Sequence, residues 1–268
     1  MKTTSRWRPS PALLASGGLH AGALIATAAA PALWPWTLGA VAIDHAILTA
    51  AGLWPRSTLL GPNLRRLPET AAARGEVAIT IDDGPDPDVT PHVLDLLDAY
   101  DAKASFFCIG TQARAHPRWT RAITERGHDV ENHSQHHHHD FSLRGLRGFR
   151  REIESAQHTL TELSGRRPRF FRAPAGLRNP MLDPVLHALD LRLASWTRRG
   201  FDTVRRDPRR VSARLLHRLR AGDILLLHDG HAARTPAGRA VVLDVLPVLL
   251  DALRQRDLRP VTLQQATR

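Results

Sequence analysis

The 268-residue sequence predicts an α/β protein: a largely parallel sheet or barrel with helical crossovers, preceded by a transmembrane helical hairpin. Two observations predict it. From Val77 onward, short apolar runs rich in β-branched residues alternate with stretches of helical period, the pattern of strands joined by helical crossovers. Ahead of them, residues 12–54 contain no lysine, arginine or glutamate, and Asp44 is their only formal charge. A chain of this length holds one sizeable catalytic core plus something extra, which the apolar N-terminal region accounts for.

That region is too long for one crossing. A continuous helix over residues 12–54 would measure ~65 Å, about twice the hydrocarbon thickness, and Pro31 and Pro35 would break it. A secretory signal would have a shorter apolar core and then polar sequence, whereas a second apolar span follows directly here. The sequence therefore predicts two membrane helices, about 12–31 and 36–54, with Trp34, Pro35 and Trp36 as an interfacial turn. Asp44 falls mid-span, where a charged aspartate costs roughly 2.5–3.5 kcal/mol on insertion scales, so it needs a partner. Folding the two spans together brings His20 to similar depth, with His45 alongside. Lys2, Arg6 and Arg8 precede the pair, Arg56, Arg65 and Arg66 follow it, and no basic residue lies in the turn. The positive-inside rule then puts both ends on the cytoplasmic side of a bacterial inner membrane; a single crossing would put the rest of the chain on the periplasmic side. Residues 1–54 thus read as a membrane anchor, 55–75 as a Pro/Gly-punctuated linker and 76–268 as the soluble domain.

The soluble domain begins with a strand. Val77, Ile79, Thr80 and Ile81 favour pleated backbone, Gly84 and Pro85 end it, and Asp82 and Asp83 fall at its C-terminal end, where α/β folds place their chemistry. Residues 89–102 have helical spacing, 104–109 form a second buried strand, 116–126 a helix ended by Gly127, and 128–132 a third strand with His133 just beyond. Phe149, Ile153, Ala156, Leu160 and Leu163 share one helical face that stops at Gly165. A strand at 169–171, a helix with Pro180 in its first turn, and a strand at 191–196 come next. Asp207 caps a further helix that has Pro208 in its first turn. Residues 222–228 form a strongly apolar strand, 241–253 a long helix despite Pro247, and 259–263 a last strand.

Composition narrows the function less than the motifs do. Cys108 is the only cysteine, so no intrachain disulfide forms. The net charge of +11 is carried by arginine, because Lys2 and Lys103 are the only lysines. No nucleic-acid recognition motif accompanies that charge, and the arginines at 205, 206, 209, 210, 214 and 218 read as a solvated helix face or an anionic-lipid contact. Nucleic acid is not an expected partner.

Two clusters carry chemistry. Adjacent carboxylates such as Asp82 and Asp83 can divide the labour, one holding a metal and the other taking a proton from water. The second cluster runs Asn132, His133, Ser134, Gln135, His136, His137, His138, His139, Asp140, again at a strand's end. Histidines four apart share a helical face, so His133 and His137 have ligand spacing, and with Asp83 they make a His₂Asp facial set; His136 is the i+3 competitor.

From residue 77 to 263 the sequence resembles the polysaccharide deacetylase family, also called the NodB homology domain or carbohydrate esterase family 4. Thr80-Ile81-Asp82-Asp83-Gly84 matches the family's Thr-Phe-Asp-Asp-Gly motif, and His133-Ser134-Gln135-His136-His137 its H-[ST]-x-x-H motif. Arg172-Ala173-Pro174-Ala175-Gly176 matches R-x-P-x-G, Asp202 half of an Asp-Trp pair, and Leu226-Leu227-His228 the L-x-H motif. The resemblance implies a distorted (β/α) barrel with Asp82 as general base, Asp83, His133 and His137 as metal ligands, Arg172 orienting the base, and His228 as general acid. Asp202 would keep His228 protonated, and the Ala175 N–H would serve an oxyanion hole. The implied metal is Zn²⁺ first, then Co²⁺, Ni²⁺ or Mn²⁺. The family's aromatic residues are missing where Ala175 and Thr203 stand, which points to a smaller or lipid-linked sugar.

The expected activity is removal of an N-acyl group, first N-acetyl, from an amino sugar in a polysaccharide or lipid-linked glycan. Deformylation of a polyprenyl-linked amino sugar and a catalytically silent, membrane-anchored sugar-binding module are the alternatives.

Overall fold

The computed structural model describes residues 6–268; Lys2 lies outside the described residues. Helices α1 (Pro11–Ala29) and α2 (Trp34–Leu53) form the hairpin, joined by a 3₁₀ turn over Pro31–Leu33. Both are long and apolar enough to cross a membrane. The turn sits earlier than the tryptophans imply: Trp34, Pro35 and Trp36 open α2, because proline is tolerated in a helix's first turn. Asp44 does find partners across the hairpin. Ser16 Oγ donates to it at 2.6 Å, His20 Nδ1 lies 3.8 Å away, and His20 and His45 meet at 3.2 Å.

The remaining elements are α3 (Glu69–Ala73), β1 (Glu76–Asp82), α4 (Thr90–Ala99), β2 (Ala104–Cys108), α5 (Gly110–Ala115), α6 (Pro117–Glu125) and β3 (Asp129–Asn132). They continue with α7 (Leu146–Ser164), β4 (Phe170–Phe171), α8 (Leu182–Ala188), β5 (Arg192–Leu193), β6 (Arg198–Arg199) and α9 (Pro208–Leu216). The last are β7 (Ile224–His228), α10 (Val242–Arg254), β8 (Arg259–Val261) and α11 (Leu263–Ala266). All strand pairs are parallel, in the order β5-β4-β3-β2-β1-β7-β6, with β8 beside the start of β1.

The expected strand over 191–196 is interrupted, and the interruption closes the barrel. β5 pairs with β4 while β6, a few residues later, pairs with β7, so one bent segment joins the two ends of the sheet. Between them, Ser195 N–H donates to Leu64 O and Leu64 N–H to Leu193 O. Residues 55–75, read as a linker, therefore also fill the seam, and Leu60, Leu67 and Ala71 are buried there. At the other side Thr197 Oγ1 accepts from Ile224 N–H at 2.7 Å and donates to Ile224 O at 3.0 Å. Elsewhere the differences from expectation are small. Pro180 stands in the turn before α8, because Asn179 accepts from Met181 N–H and delays the helix. Asp207 caps α9 as expected, accepting from Arg209 N–H at 2.9 Å.

Strand parity decides which side chains face the barrel interior. Val77, Ile79 and Ile81 of β1 and Leu225 and Leu227 of β7 join the core under the helices, with α4 and α10. Ala78 and, in β7, Ile224 and Leu226 face inward instead. Continuing the period of two, Thr80 and Asp82, and likewise His228, point into the barrel. Replacing the Thr197 hydroxyl by a methyl leaves the Ile224 N–H unpaired at the seam; Thr197→Val is expected to lower stability by about 1–3 kcal/mol in denaturant unfolding.

Candidate active site

The site forms because parallel register brings the strand ends to one level. Asp82 stands opposite Phe107 on β2 and His228 on β7, Cys108 opposite Asn132, and Asn132 opposite Phe171. The residues that follow these ends, Asp83, His133 and Arg172, therefore converge with Asp82 and His228. Asp82, Asp83, His133 and His228 line a cavity of about 240 Å³, with Ala175, Thr203, Leu226, Trp196 and Arg199 among its walls. Arg172 lies behind the wall, fully buried.

Arg172 holds Asp82. Its Nη1 donates to Asp82 Oδ1 at 2.6 Å and to Thr80 Oγ1 at 2.8 Å, Nη2 to Ser195 O and Nε to Ala194 O. The guanidinium lies 4.0 Å from the centre of the Phe107 ring, where a buried cation gains from the ring face. All three guanidinium nitrogens are thus committed, and Asp82 Oδ2 is left facing the cavity side, 3.9 Å from His133 Nε2.

Asp83 Oδ1 lies 3.2 Å from His133 Nε2 and 3.3 Å from His137 Nε2. Donor atoms around a tetrahedral zinc at ~2.0–2.1 Å stand roughly 3.3–3.4 Å apart, so this donor set fits a divalent metal. The His133 ring is oriented for it: Nδ1 lies 2.8 Å from the Arg172 carbonyl, which can only accept, so Nε2 keeps its lone pair. Burial, with His133 alongside, pushes His137 down to about 4 and leaves a neutral imidazole at neutral pH. Burial alone would raise Asp83, but its contacts with His133 and His231 and the charge of His228 hold it well below the usual carboxylate range.

His137 reaches Asp83 by a route different from the one its spacing implied. Residues 133–140 form no helix; Ser134 at φ 66° and His137 at φ 52° turn the loop back on itself. Asp83, Ala175 and His231 also hold positive φ, an arrangement non-glycine residues adopt at a cost of about 1–3 kcal/mol each and one concentrated at functional sites. The competitor His136 faces away, toward Glu152. Gly230 is fixed by the same crowding, since a Cβ there would sit 2.4 Å from Asp83 O.

On the opposite wall, His228 Nδ1 lies 2.9 Å from Asp202 Oδ1, and its backbone N–H donates to Asp202 Oδ2 at 2.7 Å. Burial opposes the imidazolium, yet the buried Asp202 carboxylate outweighs it and raises His228 to about 9. Ala175, in the turn after β4, has no backbone acceptor for its N–H among the described residues. Three wall residues escaped the sequence reading. His231 Nδ1 lies 3.3 Å from Asp83 Oδ2, Trp196 forms an aromatic wall despite the missing aromatics at 175 and 203, and Arg199 lies over both Trp196 and Phe201. His231 lies three residues past the L-x-H motif, a signal that was available.

Known proteins resemble this chain in sequence and in fold. The family model described as polysaccharide deacetylase matches residues 70–194. A chitooligosaccharide deacetylase of Sinorhizobium fredii is 34% identical over 208 residues, covering 72% of this chain and 92% of its own. The chain belongs to the polysaccharide deacetylase family. Among solved structures, the Bc1960 peptidoglycan N-acetylglucosamine deacetylase superposes with a TM-score of 0.69 at 26% identity, over 76% of this chain and 92% of that one. A family 4 acetyl xylan esterase from Clostridium thermocellum, in complex with a cobalt ion, superposes at 0.64 with 27% identity, over 71% and 89%. Like its family, this deacetylase is a hydrolase acting on carbon–nitrogen bonds in sugars.

The His228–Asp202 pair has a signed pH dependence. A pKa raised from 6.5 to about 9 contributes stability that is fully present below 6.5 and is lost as pH rises through about 9. In Asp202→Asn only the weaker influence of Asp82 and Asp83 opposes burial, and the His228 pKa is expected to fall from about 9 in an NMR titration; a value still near 9 would assign the proton's stabilisation to another group.

Proposed function

We propose that the protein is a metal-dependent N-deacetylase of an amino sugar carried on a polymer or a lipid. The observation that carries this reading is the convergence on one cavity of an arginine-held carboxylate, a His₂Asp donor set and a histidine raised to about 9. A divalent metal held by Asp83, His133 and His137, Zn²⁺ first with Co²⁺, Ni²⁺ or Mn²⁺ as alternatives, would supply Lewis acidity at the acyl oxygen and lower the pKa of water.

The remaining work falls to side chains. Asp82 takes a proton from water on Oδ2, because Arg172 occupies Oδ1, and the water oxygen bonds to the acyl carbon. The Ala175 N–H donates to the oxyanion. As the C–N bond breaks, the departing nitrogen takes the proton that His228 carries at neutral pH, and Asp202 holds the imidazole's other nitrogen. Proton transfer by a positioned group contributes about 10²- to 10⁴-fold.

The hairpin bears on the substrate. Arg178 N–H donates to Gly52 O at 3.1 Å, and a Cβ on Gly176 would lie 2.7 Å from both Pro55 and Trp196. The loop that carries Ala175 is thus packed against the base of α2, and the cavity lies beside the end of the membrane helices. Trp54, Leu59, Leu143, Met181 and Val204 are exposed around the same loops. This placement favours a sugar presented at the membrane surface, an acetylated or formylated lipid-linked amino sugar among them. The basic flanks Arg6, Arg8, Arg56, Arg65 and Arg66 favour the cytoplasmic side. The anchor is taken as residues 1–54, the connection as 55–75 and the catalytic domain as 76–268.

Asp82→Asn is expected to keep the metal content and lower kcat by at least ~10²-fold on N-acetylated oligosaccharides or lipid-linked amino sugars. Unchanged turnover would remove Asp82 from the mechanism. A reporter fused after Arg268 tests the sidedness: fluorescent green fluorescent protein with silent alkaline phosphatase is expected, and the reverse would mean one crossing and a periplasmic site.

A further inference from the structure

The histidine run divides by direction. His137 turns to Asp83, whereas its two neighbours, His136 and His138, turn to Glu152 of α7. His136 Nδ1 lies 3.0 Å and His138 Nε2 3.8 Å from the same oxygen, Glu152 Oε1, and the two rings are 5.2 Å apart between centres. One donor atom from each of the three residues lies within 4.8 Å of the others. We propose that His136, His138 and Glu152 form an accessory site for a divalent metal of the zinc class, separate from the Asp83, His133 and His137 set.

The donor chemistry distinguishes this cluster from an ordinary surface ion pair. Glu152 is buried at 2% exposure, and its Oε2 accepts the His136 backbone N–H at 3.1 Å, which aims Oε1 at the two imidazoles. Each ring can present a lone pair toward Glu152 Oε1, at Nδ1 of His136 and at Nε2 of His138. A cation between them satisfies both lone pairs and the carboxylate together. The 3.0 and 3.8 Å separations bracket the roughly 3.3–3.4 Å edge of a tetrahedral zinc site. The half-exposed rings leave a solvent side for water to complete the coordination. Arg144 is the competing cation, with Nη1 3.7 Å from Glu152 Oε1, but its closer partner is Asp140 at 3.3 Å, so it can yield the oxygen. Because His136 and His138 flank His137 in the chain, binding there would pin both sides of the left-handed residue that reaches Asp83.

The proposal rests on the deacetylase reading only for what it calls the first site, and the test separates the two. Full-length protein in detergent, stripped with chelator and dialysed against Zn²⁺, is counted for metal by mass spectrometry. Wild type is expected to hold two equivalents per chain, H136A/H138A one, and D83A/H133A one. Glu152→Gln should match H136A/H138A, with circular dichroism reporting the fold of every variant. A wild-type count that H136A/H138A leaves unchanged would overturn the accessory site while leaving the first intact. One equivalent lost in H136A/H138A and kept in D83A/H133A would uphold the accessory site and overturn the first.

Discussion

The buried ion pair between Arg172 and Asp82 is the interaction on which the rest of this site depends. One guanidinium binds the carboxylate at the end of β1, Thr80 within it, and the carbonyls of Ala194 and Ser195 in the segment that closes the barrel. The same residue's carbonyl fixes the ring of His133. The proposed base, a proposed metal ligand and the barrel closure are thus set by one side chain and one peptide. Such a pair is costly to desolvate, and removing one partner leaves an uncompensated buried charge, typically a loss of 3–5 kcal/mol. Its retention is better understood as positional than as stabilising: it leaves one oxygen of Asp82 bound and the other available.

Much of this was legible because parity and register are sequence properties. A buried run ending in Asp82 and Asp83 read as a strand delivering carboxylates, with an ordinary turn as the alternative, and the strand's period of two places Asp82 inward. His133 and Arg172 follow the ends of neighbouring parallel strands, so their convergence with Asp82 was implied once those strands were recognised. His137 is a different matter. Helical spacing pointed to the residue that does lie beside Asp83, but by another route, since the loop reaches Asp83 through left-handed turns at Ser134 and His137 that no propensity indicates. The bend between β5 and β6 was equally hidden, because it is imposed by closure of the barrel rather than by local sequence. Trp196 and Arg199 reach the cavity wall as a consequence of that bend, which is why a reading of motifs alone judged the cavity poorer in aromatic surface than it is.

The N-terminal hairpin is part of the same construction. Its internal polar contacts, Ser16 and His20 to Asp44, tie together two helices long and apolar enough to cross a membrane. Its base is packed on the turn after β4 through Gly52 and Pro55. The cavity is therefore packed beside the end of the helices. A freely tethered barrel would sample many orientations, whereas this contact selects one in which the strand ends, with their exposed apolar residues, lie beside the end of the hairpin.

The central claim is that the cavity hydrolyses an amide with water activated between Asp82 and the metal ligands. Hydrolysis of an N-acetylated amino sugar by zinc-loaded, full-length protein in ¹⁸O-labelled water tests it most directly. The account predicts one ¹⁸O in the released acetate and a free amine on the sugar; unlabelled acetate, or none released by protein with Asp83, His133 and His137 loaded, would contradict it.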